Sequence, residues 1–423
     1  MKIQKPSFKT CSPRVESRKG AVLILDVGTT GIKAFVFDGK CQVLTKSYRK
    51  ISKIRPRRGW VEQDPKEILR VSISVLRQTL KDSGVSPSAI QGMGITNQRE
   101  ATVLWDRRTG KPVYPIIGWE DSRSRHYCRS FSKQDQKYVR QATGLPIDSY
   151  FSATKIHWIF QNFPEMSKLA EAGRLAFGTI DSWLLWNLCE DRPHRTDETN
   201  AARTLLFNIR TRRWDEKLLN LFGVPPSVLP SVFPSRSSFG TLDKGVVGTR
   251  VPVLAVCGDQ QASTYAAIRS GRSSSKTIKV TYGTGVFLAQ VIGKSFRLRQ
   301  PFLTTLTPDT IGTSFALEGK LEGSGEAVNL LLKNPTGLHA YLKKLSVRVD
   351  GLIRQLPVQP IGIVIDGGGE RDGIIVTLQE QSSGIPACLQ ATYDGTALGT
   401  ALLVSDVVKK SVNSSNSSRA GLC

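Results

Sequence analysis

Val22-Leu23-Ile24-Leu25-Asp26-Val27-Gly28-Thr29-Thr30-Gly31 is the stretch on which the architecture turns. A near-continuous apolar run that ends on one acid and a glycine reads as a strand buried on both faces. Thr29-Thr30-Gly31 makes a tight turn and residues 32–37 return as a second strand, so the pair closes a hairpin. Residues 41–48 supply a third strand. Asp64-Pro65 then opens a helix, the acid as N-cap and the proline in the first helical position, with Ile68, Leu69, Ile73, Leu76 and Leu80 along one face and Gly84 as its stop. A further strand follows at 90–96.

The same grammar recurs downstream. Val253-Leu254-Ala255-Val256 is a strand running into Gly258-Asp259, and 277–281, Tyr282-Gly283-Thr284-Gly285 and 286–291 read as strand, turn and strand. Residues 313–317 form a strand, 325–333 a helix, 361–365 a strand entering Gly367-Gly368-Gly369, and 396–408 a last apolar helix. Two halves built this way predict a duplicated α/β unit with a cleft between them. Gly245, Gly248 and Pro252 place the boundary near 245–258. The expected division is a basic arm (1–20), a first domain (21–257), a second domain (258–410) and a polar disordered tail (411–423).

With 423 residues, 39% hydrophobic and 22% charged, the chain has room for two or three domains and a sizeable core. Its 59 Lys and Arg against 35 Asp and Glu leave a net charge of +24, which favours anionic partners without choosing among them. The basic run from Arg49 to Arg58 raises nucleic-acid binding, but no base-reading module accompanies it, and a solvated basic surface is the better reading. Seven scattered cysteines without a paired spacing indicate free thiols in a reducing compartment, and four dispersed histidines argue against a His/Cys metal site. No apolar run reaches the ~18–20 residues that span a bilayer. The compartment expected is the cytoplasm, with the basic arm leaving mitochondrial import open.

Phosphoryl transfer needs a cation-holding carboxylate, backbone N–H groups around phosphate oxygens and a base near the acceptor hydroxyl. In Asp26-Val27-Gly28-Thr29-Thr30, Asp26 can hold Mg²⁺ through water, and small turn residues let the backbone approach phosphates. Lys33 stands within reach of a γ-phosphate. Taken alone, the motif fits a plain hairpin with a solvated acid equally well. Tyr282-Gly283-Thr284-Gly285 is a second phosphate-loop candidate. Gly293-Lys294-Ser295 has the ending of a Walker A loop, but Leu288 stands where that loop needs glycine. The glycines at 367–369 admit the flat face of an adenine or ribose, or are simply a loop. Asp259, an acid at the end of a buried strand and at a domain edge, is a credible general base, with a helix N-cap as its bland alternative.

Four longer runs carry a family resemblance: Gly94-Ile95-Thr96-Asn97-Gln98-Arg99-Glu100, Phe177-Gly178-Thr179-Ile180-Asp181-Ser182-Trp183-Leu184, Thr196-Asp197-Glu198-Thr199-Asn200-Ala201-Ala202-Arg203-Thr204-Leu205-Leu206-Phe207-Asn208-Ile209 and Gly258-Asp259-Gln260-Gln261-Ala262. They resemble the FGGY carbohydrate kinases, and within them the enzymes that act on glycerol, almost continuously from about residue 22 to 333. The resemblance implies two actin-like (ribonuclease-H-like) α/β domains closing on ATP, Mg²⁺ and a polyol. It implies Asp259 as the base and Arg99 and Glu100 as the grip on glycerol hydroxyls, with Gln260 on another hydroxyl. Trp119, Tyr150 and Phe287 would pack the carbon backbone. Thr29, Thr30, Lys33, Thr284, Gly285, Gly325, Asn329, Gly368 and Asp372 would meet the nucleotide. Enzymes of this kind often form homo-oligomers.

After residue 333 the resemblance degrades. A Phe-Thr-Gly-Leu-x-Ala-Pro-x-Trp motif usual in the family is absent, and Asp372 stands where an asparagine is usual. The second domain is therefore expected to be incomplete, with apolar faces left uncovered. The function expected is ATP-dependent phosphorylation of glycerol. The alternatives are a catalytically impaired paralogue acting as a binding or regulatory protein, and a kinase for another small polyol or sugar.

Overall fold

The computed structural model describes residues 20–269, 276–282, 286–321, 337–367, 373–390 and 394–420. Strand β1 (Ala21–Val27) is buried along its whole length, as its apolar run demands. It pairs antiparallel with β2 (Gly31–Phe37), which pairs antiparallel with β3 (Val43–Lys50). On its other side β1 runs parallel to β4 (Ile90–Asn97). Beyond β4 lie β5 (Arg236–Leu242) and β6 (Val251–Gly258), giving the order β5-β6-β4-β1-β2-β3. The outer strand β3 is largely exposed and carries Lys46, Arg49 and Lys50, charges that discourage edge pairing.

The second sheet repeats the plan. Strands β7 (Thr277–Tyr282), β8 (Val286–Gly293), β9 (Leu303–Pro308), β10 (Thr313–Leu321), β11 (Gly362–Asp366) and β12 (Ala387–Leu389) lie in the order β9-β10-β8-β7-β11-β12. In each sheet a hairpin and a third antiparallel strand are followed by two parallel strands. The duplicated unit inferred from the turns is therefore present. Both sheets hold six strands, so the incomplete second domain expected from the sequence is not seen in its strand core. Of the ten exposed large apolar side chains among the described residues, seven belong to this half: Leu298, Ile311, Val347, Val358, Ile361, Ile374 and Leu389.

Helix α1 (Pro65–Ser83) covers one face of the first sheet. Asp64 caps it by accepting from Lys66 N, and Gly84 ends it at φ 62°, a left-handed conformation open to glycine without strain. Residues 98–235 intervene before β5 and build their own core around Phe151, Ile156, Ile159, Phe177, Leu206 and Phe222, which includes α2 (Ser152–Asn162).

Packing cuts across the expected boundary at 257/258. Helices α3 (Asp259–Ala267) and α6 (Gly395–Ala420) lie on the other face of the first sheet, where Ala262, Tyr265, Ala397, Ala401 and Val404 pack on Val22, Ile24 and Cys257. A Cβ on Gly399 would stand 1.8 Å from Ala262 O, so the two helices touch backbone to backbone. The segment read as a disordered tail continues α6 to Ala420, since extending a formed helix needs no new nucleus. Helices α4 (Leu338–Ile353) and α5 (Ile374–Ser383) cover the second sheet through Leu342, Leu345, Val349, Ile375 and Leu378.

Candidate active site

Three neighbouring parallel strands end together. Val27 of β1 is level with Asn97 of β4, and Asn97 with Gly258 of β6. This edge is where open α/β sheets gather their chemistry. It presents Asp26 from β1, Gln98-Arg99-Glu100 after β4 and Asp259 after β6. Asp259 is the first residue of α3; the N-cap is Gly258, so the N-cap reading of the acid is not realised. The Asp259 carboxylate accepts from Gln260 N at 2.7 Å and lies 3.3 Å from Arg99 Nε, with about a third of its side chain (32%) exposed. Burial raises its pKa above the ordinary 3.8, Arg99 lowers it, and Glu100 and Glu318 push it up again.

Beneath Asp259 lies a buried charge network. Arg99 donates to Glu318 Oε1 at 2.7 Å and to Gln261 Oε1 at 3.1 Å. Arg203 donates through Nε to Glu100 Oε1, and its Nη1 lies 3.3 Å from Glu318 Oε2. Two guanidinium and two carboxylate groups thus alternate and their charges cancel. Burial works against the charge on Arg99, but Glu318 and then Glu100 outweigh it and keep it firmly protonated. Burial likewise disfavours ionised Glu318, and Arg99 and Arg203 overcome that and depress its pKa. Removing one member would strand its partners in the interior.

Over this network opens a cavity of about 460 Å³ whose walls include Arg99, Trp119, Tyr150, Arg203, Phe287 and Glu318. Trp119 and Tyr150 have ring centroids 5.5 Å apart, and Lys320 Nζ stands 5.5 and 5.2 Å from them. A larger, more open hollow of about 650 Å³ between α1 and residues 244–248 contains no carboxylate and no strand end. The cavity beside Asp259 is the one with chemistry.

Arg99, Trp119, Tyr150 and Phe287 therefore converge, with Asp259 nearby in contact with Arg99 and Glu100 one layer below. Gln260 goes elsewhere. Its Oε1 lies 3.4 Å from Thr281 Oγ1 and 3.5 Å from Lys279 Nζ, on the side of the second sheet. Gln261, about 100° further round the helix, occupies the Arg99 network instead and donates to Glu318. Thr29 accepts from Trp119 Nε1 at 3.0 Å, so the 28–31 turn touches the cavity wall directly, and Thr30 O accepts from Ile51 N. Lys33 Nζ lies 2.8 Å from Asp394 and 3.7 Å from Asp26. Burial lifts Asp26 to about 6, with Lys33 lowering it and Asp259 and Asp394 raising it. Thr284, Gly285, Gly325, Asn329, Gly368 and Asp372 lie outside the described residues.

Sequence reasoning missed Arg203, Gln261, Glu318, and the pair Lys279–Asp366, 3.2 Å apart, which joins the middle of β7 to the end of β11. The available signal was a charge inside an apolar strand: Glu318 in Phe315-Ala316-Leu317-Glu318 and Lys279 in Ile278-Lys279-Val280. Among the described residues no group of three or more His, Cys, Asp or Glu could by itself hold a metal, and no helix is long and apolar enough to cross a membrane.

Residues 21–266 match the N-terminal domain of the FGGY family of carbohydrate kinases. The chain belongs to that family. Among its relatives, the glycerol kinase of Polaromonas naphthalenivorans (strain CJ2) is 43% identical over 341 residues, 79% of this chain and 67% of the relative. That of Marinomonas sp. (strain MWYL1) is 43% identical over 313 residues, 73% and 63% of the two chains. The match thus spans about two thirds of the length of these curated relatives. Among solved structures, Plasmodium falciparum glycerol kinase with ADP superposes with a TM-score of 0.84 at 27% identity, covering 93% of this chain and 90% of that one. The xylulose kinase of Rhodospirillum rubrum, at 18% identity and a TM-score of 0.79, covers 92% of both chains and shares the fold. The two sheets of this FGGY protein are the two halves of a sugar-kinase fold.

Proposed function

We propose that this FGGY chain transfers the γ-phosphate of ATP to glycerol, giving glycerol 3-phosphate and ADP. The observation that carries this reading is the Asp259 carboxylate, 3.3 Å from Arg99 Nε, beside a cavity whose walls include Arg99, Arg203 and the rings of Trp119, Tyr150 and Phe287. A polyol needs hydroxyl partners on one side and apolar contact along its carbons. Arg99 donates to a hydroxyl, Glu100 accepts from one, and Trp119, Tyr150 and Phe287 pack the carbon chain. A site of this kind rejects analogues lacking a hydroxyl, because its own polar groups would go unpaired. The relatives named glycerol kinase support the choice of glycerol, and the neighbour solved with ADP supports ATP as donor.

In the reaction Asp259 takes the proton of the attacking hydroxyl. The freed oxygen forms a bond to the γ-phosphorus as the bond to the β–γ bridging oxygen breaks in line opposite it, and ADP leaves. Burial raises the pKa of Asp259, and a carboxylate of raised pKa is a better proton acceptor. Thr29, Thr30 and Lys33 lie on the donor side, and Gln260, turned toward Lys279 and Thr281, faces that side as well. Asp26 and Asp259 bring two carboxylates to the same strand-end edge of the first sheet, and oxygen donors of this kind suit Mg²⁺. Asp26 would hold it through water, and the ion would supply positive charge against the transferring group.

Incubation of the purified chain with Mg-ATP and glycerol, coupled to oxidation of glycerol 3-phosphate, tests the reading. Product that requires both substrates is expected. No product from chain that binds ATP would refute it. The span of only about two thirds of the relatives' length favours one second reading, a protein that binds a polyol in the same cavity without turnover. Glycerol binding by calorimetry without product would select it.

A further inference from the structure

Glu100 and Tyr150 belong to segments far apart in sequence, yet a single side chain holds both of their backbones. Lys155, one turn into α2, is fully buried. Its Nζ donates to Glu100 O at 2.9 Å and to Tyr150 O at 2.8 Å. Ser152 Oγ, in the first turn of the same helix, adds a weaker bond to Glu100 O at 3.3 Å. Glu100 has φ 63°, a left-handed backbone for a residue with a side chain. Such a conformation persists where its surroundings over-determine it.

The choice of lysine here is physically expensive. Burial drives its ammonium down to about 7, with Glu100 and Asp121 opposing that and Arg123 adding to it. Among the described residues no carboxylate lies within ion-pairing distance of its Nζ, and its partners are carbonyls. A position that served only to fill the core would be better met by methionine or leucine. What those residues cannot do is donate to two carbonyls at once.

We propose that Lys155 is a positioning residue of the acceptor site, clamping the carbonyls of Glu100 and Tyr150 and so setting the gap between the Glu100–Arg203 pair and the aromatic wall. The inference rests on reading this cavity as the polyol site. Lys155 touches no reacting atom. It acts by holding the Glu100 carboxylate and the Tyr150 ring at one spacing, and displacements near 1 Å at such a site can lower rates by ~10²-fold.

Lys155→Met tests the clamp. The expected result is kcat/KM for glycerol reduced by ~10²-fold with KM for ATP within about twofold, and faster amide hydrogen exchange in both 98–102 and 150–154. A merely structural lysine would instead lower thermal stability and affect both substrates in parallel. That pattern, or an unchanged kcat/KM for glycerol, overturns the proposal. Should Lys155→Met fail to fold, Ser152→Ala, which removes only the weaker bond to Glu100 O, is expected to raise KM for glycerol several-fold and leave ATP alone; no change in either overturns the clamp. If the unmodified chain neither binds nor phosphorylates glycerol, the functional reading falls. The exchange comparison still decides whether Lys155 holds the two segments: loosening of both supports the clamp, and unaltered exchange overturns it.

Discussion

The two sheets share a strand order and differ in what they hang on it. The first carries the long 98–235 insertion, and its strand ends meet in interlocked buried charges: Arg99, Glu318, Arg203 and Glu100. The second has shorter connections, and its cleft edge depends on backbone approach, as at Gly367, where φ is 111° and a Cβ would stand 2.3 Å from Tyr282 O. On the proposed function, one architecture serves two recognition problems. A small neutral polyol offers few atoms, so each hydroxyl must meet a fixed partner. A nucleotide offers a chain of charged oxygens and a flat ring, for which small residues and exposed N–H groups suffice. Glu318 qualifies the contrast, because β10 of the second sheet lends it to the acceptor network.

The largest effect that would sharpen this contrast is on chemistry alone. Asp259→Asn should lower kcat by ~10³-fold, with ATP affinity by calorimetry unchanged. Retention of most activity would remove Asp259 from its role. Arg203→Met should strand Glu100 and Glu318 together, lowering unfolding free energy in urea by ~3–5 kcal/mol and abolishing glycerol binding. On the other side of the comparison, Gly367→Ala should raise KM for ATP by ~10-fold through strain and a backbone clash, leaving glycerol affinity intact. If both substrates suffer equally, the two regions are not separable.

Protonation offers gentler probes. Because the folded pKa of Asp259 is raised, the acid limb of kcat/KM should lie above the ordinary 3.8, activity falling as pH drops through it. Asp181, buried and repelled by Asp197, is lifted to about 7. A raised carboxyl pKa stabilises the folded state fully below the unfolded value of 3.8, and that contribution is lost as pH rises through about 7. Asp181→Asn should therefore flatten stability between pH 4 and 7, read from urea midpoints at several pH values. Smallest is Trp119→Phe, which keeps the ring but loses the hydrogen bond to Thr29, ~1 kcal/mol and a few-fold in KM for glycerol.

Local signals were read well where they act locally. The Asp64 cap, the Gly84 stop, the β1–β2 hairpin and the antiparallel pairing of β7 with β8 depend on residues within a few positions of each other. The cavity walls Arg99, Trp119, Tyr150 and Phe287 came from motif resemblance and do converge. Gln260 and Gln261 exchanged places because adjacent residues on a helix point about 100° apart, and which one meets Arg99 depends on how α3 is docked. Glu318 and Arg203 gain meaning from partners far along the chain, Arg99 for the first and Glu100 for the second, each more than a hundred positions away.

By itself, the sequence determined the alternation of strand and helix, the stop signals at the strand and helix ends and the acids Asp26 and Asp259 that two of the parallel strands deliver, since these follow from apolar periodicity, capping and the conformational limits of glycine and proline. Only the tertiary structure decided that α3 and α6 leave the second half to cover the first sheet, that two arginines and two glutamates neutralise one another under the cavity, and that Lys155 ties Glu100 to Tyr150. The physical reason is that buried charges and close backbone contacts draw their energy from groups distant in the chain, and those groups meet only once the core has closed around them.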